Sequence, residues 1–128
     1  EDLITISEAV YNFQRIFNLK MGFGTRSQDT LPYRAMGPVT EEEYESRRER
    51  YDGQLIDKHG VDIEGKSTAE KVAVLRKLRE EQYEQLKDAV YERRGWTQSG
   101  IPTVKTAKRL GIDFPEVLEI LKKNGVTM

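Results

Sequence analysis

The sequence predicts an all-α fold. Apolar residues recur at helical spacing in several segments, Thr or Ser followed three residues later by Glu punctuates those segments, and no stretch shows the period-2 alternation of a strand. The 128 residues suit one domain, with roughly 65–70% of the unfolded surface removed from water on folding. Leu, Ile, Val and Phe sum to 31 residues, or 24% of the chain, above the ~20% below which a charged chain stays disordered. With 34% charged residues the core is expected to be thin. The expected architecture is a multi-helical domain of five helices with a long antiparallel helical hairpin.

The first helix is read from Ile6, Ala9, Val10, Phe13, Ile16 and Phe17, one continuous apolar face. Thr5 with Glu8 is expected to cap it, and Gly22 and Gly24 to stop it near Lys20–Met21. Gly22 to Pro38 is aperiodic, with three Gly and two Pro, and reads as a loop. Thr40 with Glu43 forms a second capping box, opening a helix to about Lys58 with Tyr44, Tyr51 and Leu55 as its apolar stripe. After a loop over Gly60–Lys66, Ser67 with Glu70 forms a third box. The helix it opens runs to Arg94, with Val72, Leu75, Leu78 or Arg79, Gln82 or Tyr83, Leu86 and Val90 facing one way. Residues 39–94 are thus expected to be a helical hairpin. Gly95 ends it, Trp96–Pro102 is a turn-rich connector, Thr103 caps a short helix ending at Leu110–Gly111, and Asp113 caps a last one with Pro115 in its first turn and Val117, Leu118 and Leu121 inward.

Composition excludes much chemistry. A net charge of −1 provides no global field for nucleic acid or anionic lipid, and the apolar runs are too short for a membrane span. No signal peptide opens the chain, so a soluble, cytoplasmic protein is expected. The absence of Cys excludes disulfides, thiolate metal sites and a Cys nucleophile within this chain. The single His, His59, reads as a solvated helix-end residue. Glu41, Glu42, Glu43 and Glu45 could ligate a hard cation, but acids at a helix start interact favourably with its dipole without any ligand. Glu43 with Arg47 reads as a solvated i,i+4 pair. Gly22-Phe23-Gly24 lacks the upstream strand that a phosphate-binding loop needs. The chain opens at Glu1-Asp2-Leu3 without Met, which suggests a piece of a longer protein, although processing would give the same start.

Two clusters are not explained as solvated surface. Lys20 to Pro32 puts Phe23, Arg26 and Asp29 in an irregular loop whose only large apolar side chains are Phe23 and Leu31. Arg93-Arg94-Gly95-Trp96 sets the only Trp just past a helix end, where a large amphipathic ring packs against another element.

Val10-Tyr11-Asn12-Phe13-Gln14-Arg15-Ile16-Phe17-Asn18, then Gly22-Phe23, then Arg26-x-x-Asp29-x-Leu31-Pro32, resembles the C-terminal helical region of the tungsten-containing aldehyde:ferredoxin oxidoreductases. Tyr91-Glu92-Arg93-Arg94-Gly95-Trp96, Gly100-Ile101-Pro102-Thr103 and Leu110-Gly111-Ile112 resemble that family's closing motifs in the same order. The resemblance covers roughly residues 8–36 and 88–113, and residues 39–87 read as an enlarged insertion. Lys20-Met21-Gly22 stands where the family has Arg-Glu-Gly, so that Glu is missing. The resemblance implies that the chain, residues 1–128, is a single C-terminal helical domain of a larger oxidoreductase of anaerobic metabolism that converts aldehydes to carboxylic acids and passes electrons to ferredoxin. It also implies a tungsten bis-pterin and a [4Fe-4S] cluster in the parent, neither held by this chain, which would complete the shell around the tungsten site, bind the parent's N-terminal domains and be inactive alone. By the same resemblance Phe23, Arg26 and Asp29 form a candidate substrate-channel loop, and Arg94 and Trp96 a candidate domain interface. The alternatives are a fragment of the related tungsten benzoyl-CoA reductase subunit, which the enlarged insertion also resembles, or an independent helical protein-interaction module.

Overall fold

A computed structural model describes residues 2–127, and among these the architecture is all-α, with no strand. Six α-helices occur: α1 (Asp2–Lys20), α2 (Glu41–Glu45), α3 (Arg48–Gly53), α4 (Thr68–Arg94), α5 (Val104–Arg109) and α6 (Pro115–Lys123). A π-turn, Gln54–Lys58, extends α3, and two 3-10 turns, Arg26–Gln28 and Tyr33–Met36, lie in the stretch read as plain loop. The chain divides into two compact units, Glu1–Thr30 with Leu86–Met128, and Leu31–Gln85. The boundary falls inside α4, whose residues 68–85 belong to the second unit and 86–94 to the first.

The first unit is built on Ile16 and Leu19 of α1 with Ile101, Val104, Ala107, Leu110, Ile112, Val117, Leu121 and Val126. The capping expectations fare unequally here. Thr103 does cap α5, its hydroxyl accepting from Thr106 N at 3.2 Å. α1 starts at Asp2, so Thr5 lies inside the helix rather than at its N-cap. α6 is preceded by Phe114 at its N-cap with no side-chain hydrogen bond, and Pro115 opens it, so Asp113 does not cap it. A proline at the first helical position comes with its φ already set, which lets α6 start without a polar cap.

The expected apolar face of α1 divides in two. Ile16 is buried, with Ala9 packed against the same core, but Ile6, Val10, Phe13 and Phe17 are exposed. The buried side runs instead through Asn12, Ile16 and Leu19. Periodicity gave the right helix and the wrong inward face, because a helix with two apolar flanks does not specify which of them its own unit covers.

The second unit has its own small core of Tyr44, Tyr51, Leu55 and Leu75, the stripe expected for the first hairpin arm together with one residue of α4. That arm is not one helix. The α-helical run stops at Glu45 and resumes at Arg48, with Arg47 at φ −135° and ψ 33°. The capping box at α2 forms with a shift: Thr40 Oγ1 accepts from Glu43 N at 3.2 Å, but the Glu43 carboxylate accepts from Val39 N at 3.0 Å. Glu43 is therefore turned toward the helix start, and the ion pair seen in this segment joins Arg48 to Glu45 at 2.7 Å. Glu45 also accepts from the Thr68 hydroxyl. The box at α4 closes as expected, Ser67 N donating to Glu70 Oε2 at 2.7 Å and Glu70 N to Ser67 Oγ at 3.3 Å. Along α4 the expected stripe holds at Leu75, with Val72 and Leu78 packed on the same core, and fails at Leu86 and Val90, which are exposed, while Lys87 and Tyr91 are buried. His59 ends the π-turn, as a helix-end histidine should.

A buried Arg shapes the second unit where apolar residues are few. Arg76 lies with its guanidinium carbon 3.6 Å from the centroid of the Tyr33 ring and donates to the carbonyls of Tyr33 at 2.8 Å and Gly37 at 3.2 Å. Its planar fork ties together carbonyls from both ends of the turn over residues 33–37.

Leu121, fully buried in the first unit, tests that core. Leu121→Ala is expected to destabilise the protein by about 2–5 kcal/mol, read as a shift of the urea midpoint followed by helical circular dichroism. An exposed control, Leu86→Ala, should change it by less than about 0.5 kcal/mol.

Candidate functional site

The loop after α1 is held by its own unit. Gly22 and Gly24 take φ of +89° and +97°, left-handed values that side chains disfavour, and turn the chain off the end of α1. Gln28 Oε1 then accepts from Gly24 N and Thr25 N, closing the turn that carries Phe23. Arg26 reaches Asp88 of α4 at 2.6 Å and the Gln98 carbonyl at 3.2 Å, and its backbone N–H donates to the Ser99 carbonyl at 2.8 Å. Arg26 and Asp29 thus act as anchors toward different partners. Phe23 remains half exposed.

Asp29 has the densest set of contacts. Arg15, from α1, donates in a bidentate fork at 2.8 and 2.6 Å, while its Nε donates to the Gly100 carbonyl at 3.0 Å. The Tyr91 hydroxyl donates to the second Asp29 oxygen. Burial pushes the Asp29 carboxyl upward, but the hydrogen bonds from Arg15 and Tyr91 and the Arg15 charge outweigh it and hold the group below the ordinary aspartate range. Burial followed by the hydrogen bond to Asp29 raises the Tyr91 phenol well above its usual value, so it stays a neutral donor. Gly100 is required by this crowding: at φ +75°, a Cβ there would stand 2.7 Å from Arg15 Nη2 and 2.9 Å from the Tyr91 ring.

Trp96 closes the other side of Arg15. Its ring lies parallel to Tyr11 at 6.1 Å between centroids and tilted against Tyr91 at 5.8 Å, with the Arg15 guanidinium 4.9 Å from its own centroid. Its Nε1 donates to Asn12 Oδ1 at 2.7 Å, and Asn12 Nδ2 donates to the Glu8 carbonyl at 2.9 Å. Of the two residues expected at a domain interface, Trp96 is 8% exposed and engaged within its unit. Arg94, stacked on Tyr11 at 4.3 Å, keeps surface to offer. The turn that brings the Trp back needs Gly95, since at φ +68° a Cβ would collide with the Thr106 hydroxyl, which donates to the Gly95 carbonyl at 2.7 Å.

The structure therefore brings Arg26 and Asp29 into one polar cluster with Arg15, Asp88 and Tyr91, leaves Phe23 at its edge, and builds a neighbouring aromatic cluster on Trp96. Arg15 and Asn12 were not singled out from sequence as site residues. The available signal was two polar residues, three apart, on the side of α1 that carries Ile16 and Leu19.

Fold and site together define a helical domain organised to fix one loop through charge and aromatic stacking. The chain belongs to the aldehyde ferredoxin oxidoreductase family: the family model described as "Aldehyde ferredoxin oxidoreductase, domains 2 & 3" matches residues 1–112. A description numbering the matched domains 2 and 3 implies a larger, multi-domain oxidoreductase as parent. No curated protein and no solved structure matches the chain. Among the described residues no helix is long and apolar enough to cross a membrane.

Removing the anchor has a defined signature. Asp29→Ala is expected to destabilise the protein by about 3 kcal/mol near neutral pH, because it leaves Arg15 charged, mostly buried and without its partner. The folded-state pKa of Asp29 is depressed, so its contribution is complete above the unfolded value of about 3.9 and is lost as pH falls through the lower folded value. Thermal melts across the acid range should therefore show the gap between wild type and Asp29→Ala narrowing below about pH 4. A gap constant down to pH ~2 would mean that the carboxylate does not carry the interaction.

Proposed function

We propose that this chain forms part of the C-terminal helical shell around the tungsten bis-pterin site of an aldehyde:ferredoxin oxidoreductase-type enzyme, with aldehyde as substrate, carboxylic acid as product and ferredoxin as electron acceptor. The family match over residues 1–112 carries this reading. The parent's tungsten–pterin unit and iron–sulfur cluster supply the redox chemistry when bound. A thiolate-held cluster does not fit this chain, which has no Cys and a single His, so no catalytic step is assigned to its residues and the chain alone is inactive. Its contribution is a shaped, water-controlling wall. In this reading Phe23 stands at the edge of the substrate channel, and Arg26 and Asp29 hold the turn that presents it. Residues 39–87 form an insertion within the helical domain, and the parent is a cytoplasmic protein.

The exposed side of α1 supports a missing neighbour. Leu3, Ile6, Val10, Phe13, Phe17 and Met21 recur at spacings of three and four, and all are exposed, Phe13 at 44% and Phe17 at 54%. An apolar ridge along a 19-residue helix, about 28 Å long, has the composition of a permanent interface rather than of free surface. We assign it to packing against the parent's other domains.

The double substitution Phe13→Ser with Phe17→Ser separates folding from docking. In the isolated chain it should leave helical circular dichroism unchanged and lower binding of an apolar dye. In the parent enzyme it should lower tungsten content and aldehyde-dependent viologen reduction by about tenfold or more, the loss expected when a buried aromatic pair is removed from an interface. Full tungsten loading and full aldehyde oxidation in that variant would remove this chain from the shell.

A further inference from the structure

A second face of α1, roughly a third of a turn from the apolar ridge, lines an open groove of about 930 Å³ with the end of α4 and the start of α5. Ile4 and Tyr11 of α1 and Val90 of α4 give the groove apolar surface. Around them stand Arg93 and Arg94 at the end of α4 and Lys105 on α5. Arg109 also lines the groove, but its charge is met by Glu8 at 3.1 Å and closer. Among the described ion pairs none involves Arg93, Arg94 or Lys105. Arg94 is held in place by Tyr11, over whose ring its guanidinium lies, so this cation is fixed before any ligand arrives. On a chain of net charge −1 these cations at one concavity are a local concentration of positive charge; among the described lining residues the acidic side chains are Glu8, which Arg109 and Arg94 already face, and Glu92.

We propose that this groove is a docking site for an acidic segment of a separate protein, one carrying carboxylates on either side of an apolar side chain. Charge complementarity selects the occupant. Carboxylates would meet Arg93, Arg94 and Lys105, and the apolar side chain would lie against Ile4, Tyr11 and Val90. The contrast with the ridge distinguishes a separate partner from the parent's own domains. Permanent contacts are predominantly apolar, as the ridge is, whereas transient partners meet through smaller, more polar surfaces steered by charge. Two faces of one helix thus carry two kinds of contact.

The test uses the full chain and a short fluorescein-labelled peptide of alternating Glu and Leu, followed by fluorescence anisotropy, with the emission of Trp96, the only Trp, as a second signal because it stacks on Tyr11 beneath the groove. Binding is expected to weaken about tenfold in Arg93→Glu with Lys105→Glu, two exposed positions whose reversal leaves the fold intact, and to weaken as salt rises. An all-Glu peptide of the same length should bind several-fold less tightly, since it leaves the apolar surface uncovered. Val90→Ser should reduce that difference between the two peptides. Equal binding of both peptides by the wild type, or peptide binding untouched by the charge reversal, would overturn the proposal. So would tighter retention by vesicles of anionic lipid than by the Glu/Leu peptide, which would assign the groove to a membrane surface. Because the charge reversal lies off the Phe13 and Phe17 ridge, loss of groove binding with the ridge intact is distinguishable from failure of the shell assignment.

Discussion

The fork between Arg15 and Asp29 is the contact on which the first unit's organisation depends. It joins α1 to the loop that follows it, and the same guanidinium reaches the Gly100 carbonyl in the connector before α5. Helix α1, the loop after it and a connector distant in sequence are thereby fixed by one side chain. The site is mostly closed to water on the Arg15 side, with 11% of that side chain exposed, so a charge pair here is shielded weakly and losing either member leaves the other uncompensated. Tyr91 and Trp96 pack around the pair, and Gly100 is the residue type that leaves room for it.

The second unit solves a similar problem with different means. Its four-residue core is too small to fix the backbone between Tyr33 and Pro38, and Arg76 does so by donating to successive carbonyls while its plane stacks on Tyr33. Polar tertiary contacts recur there: Asp52 accepts from the Tyr44 hydroxyl at 2.6 Å and from Lys71 at 3.1 Å, and Arg79 donates to Gln54 at 2.6 Å. A chain with 34% charged residues folds by directing some of those charges inward where each has a defined partner.

What was legible in the sequence follows from range. Capping at Thr40, Ser67 and Thr103 depends on residues three apart, and those readings hold at the level of helix starts. The inward face of α1 depends on which of two apolar flanks a distant segment covers, which periodicity does not encode, and the exposed flank was read as core. The stripe on α4 failed for a related reason: beyond Gln85 the helix packs in a different unit, and Lys87 and Tyr91 take over from the extrapolated Leu86 and Val90. The break at Ser46–Arg47 left no Gly or Pro to announce it. Asp29 was singled out because a carboxylate in a Gly-flanked loop needs a reason, but its partner, Arg15, sits within a helix where an Arg is ordinarily solvated. The family resemblance was legible because its motifs supply that cluster, from α1, the end of α4 and the connectors beside them, where the geometry restricts residue type.

The positions of one ion pair and one hydrogen bond along the chain have an architectural consequence. Chain leaves the first unit just after Asp29 and returns just before Asp88, and the Arg26–Asp88 and Asp29–Tyr91 contacts, all within the first unit, clasp the outgoing strand of chain to the returning one. The excursion Leu31–Gln85 is in effect a loop closed at its neck. Once the neck is clasped, doubling the length of such an excursion adds only about 0.6 kcal/mol of closure entropy. A segment of very different length would therefore fit at this point with little change to the scaffold beneath, which makes the clasp a natural seam.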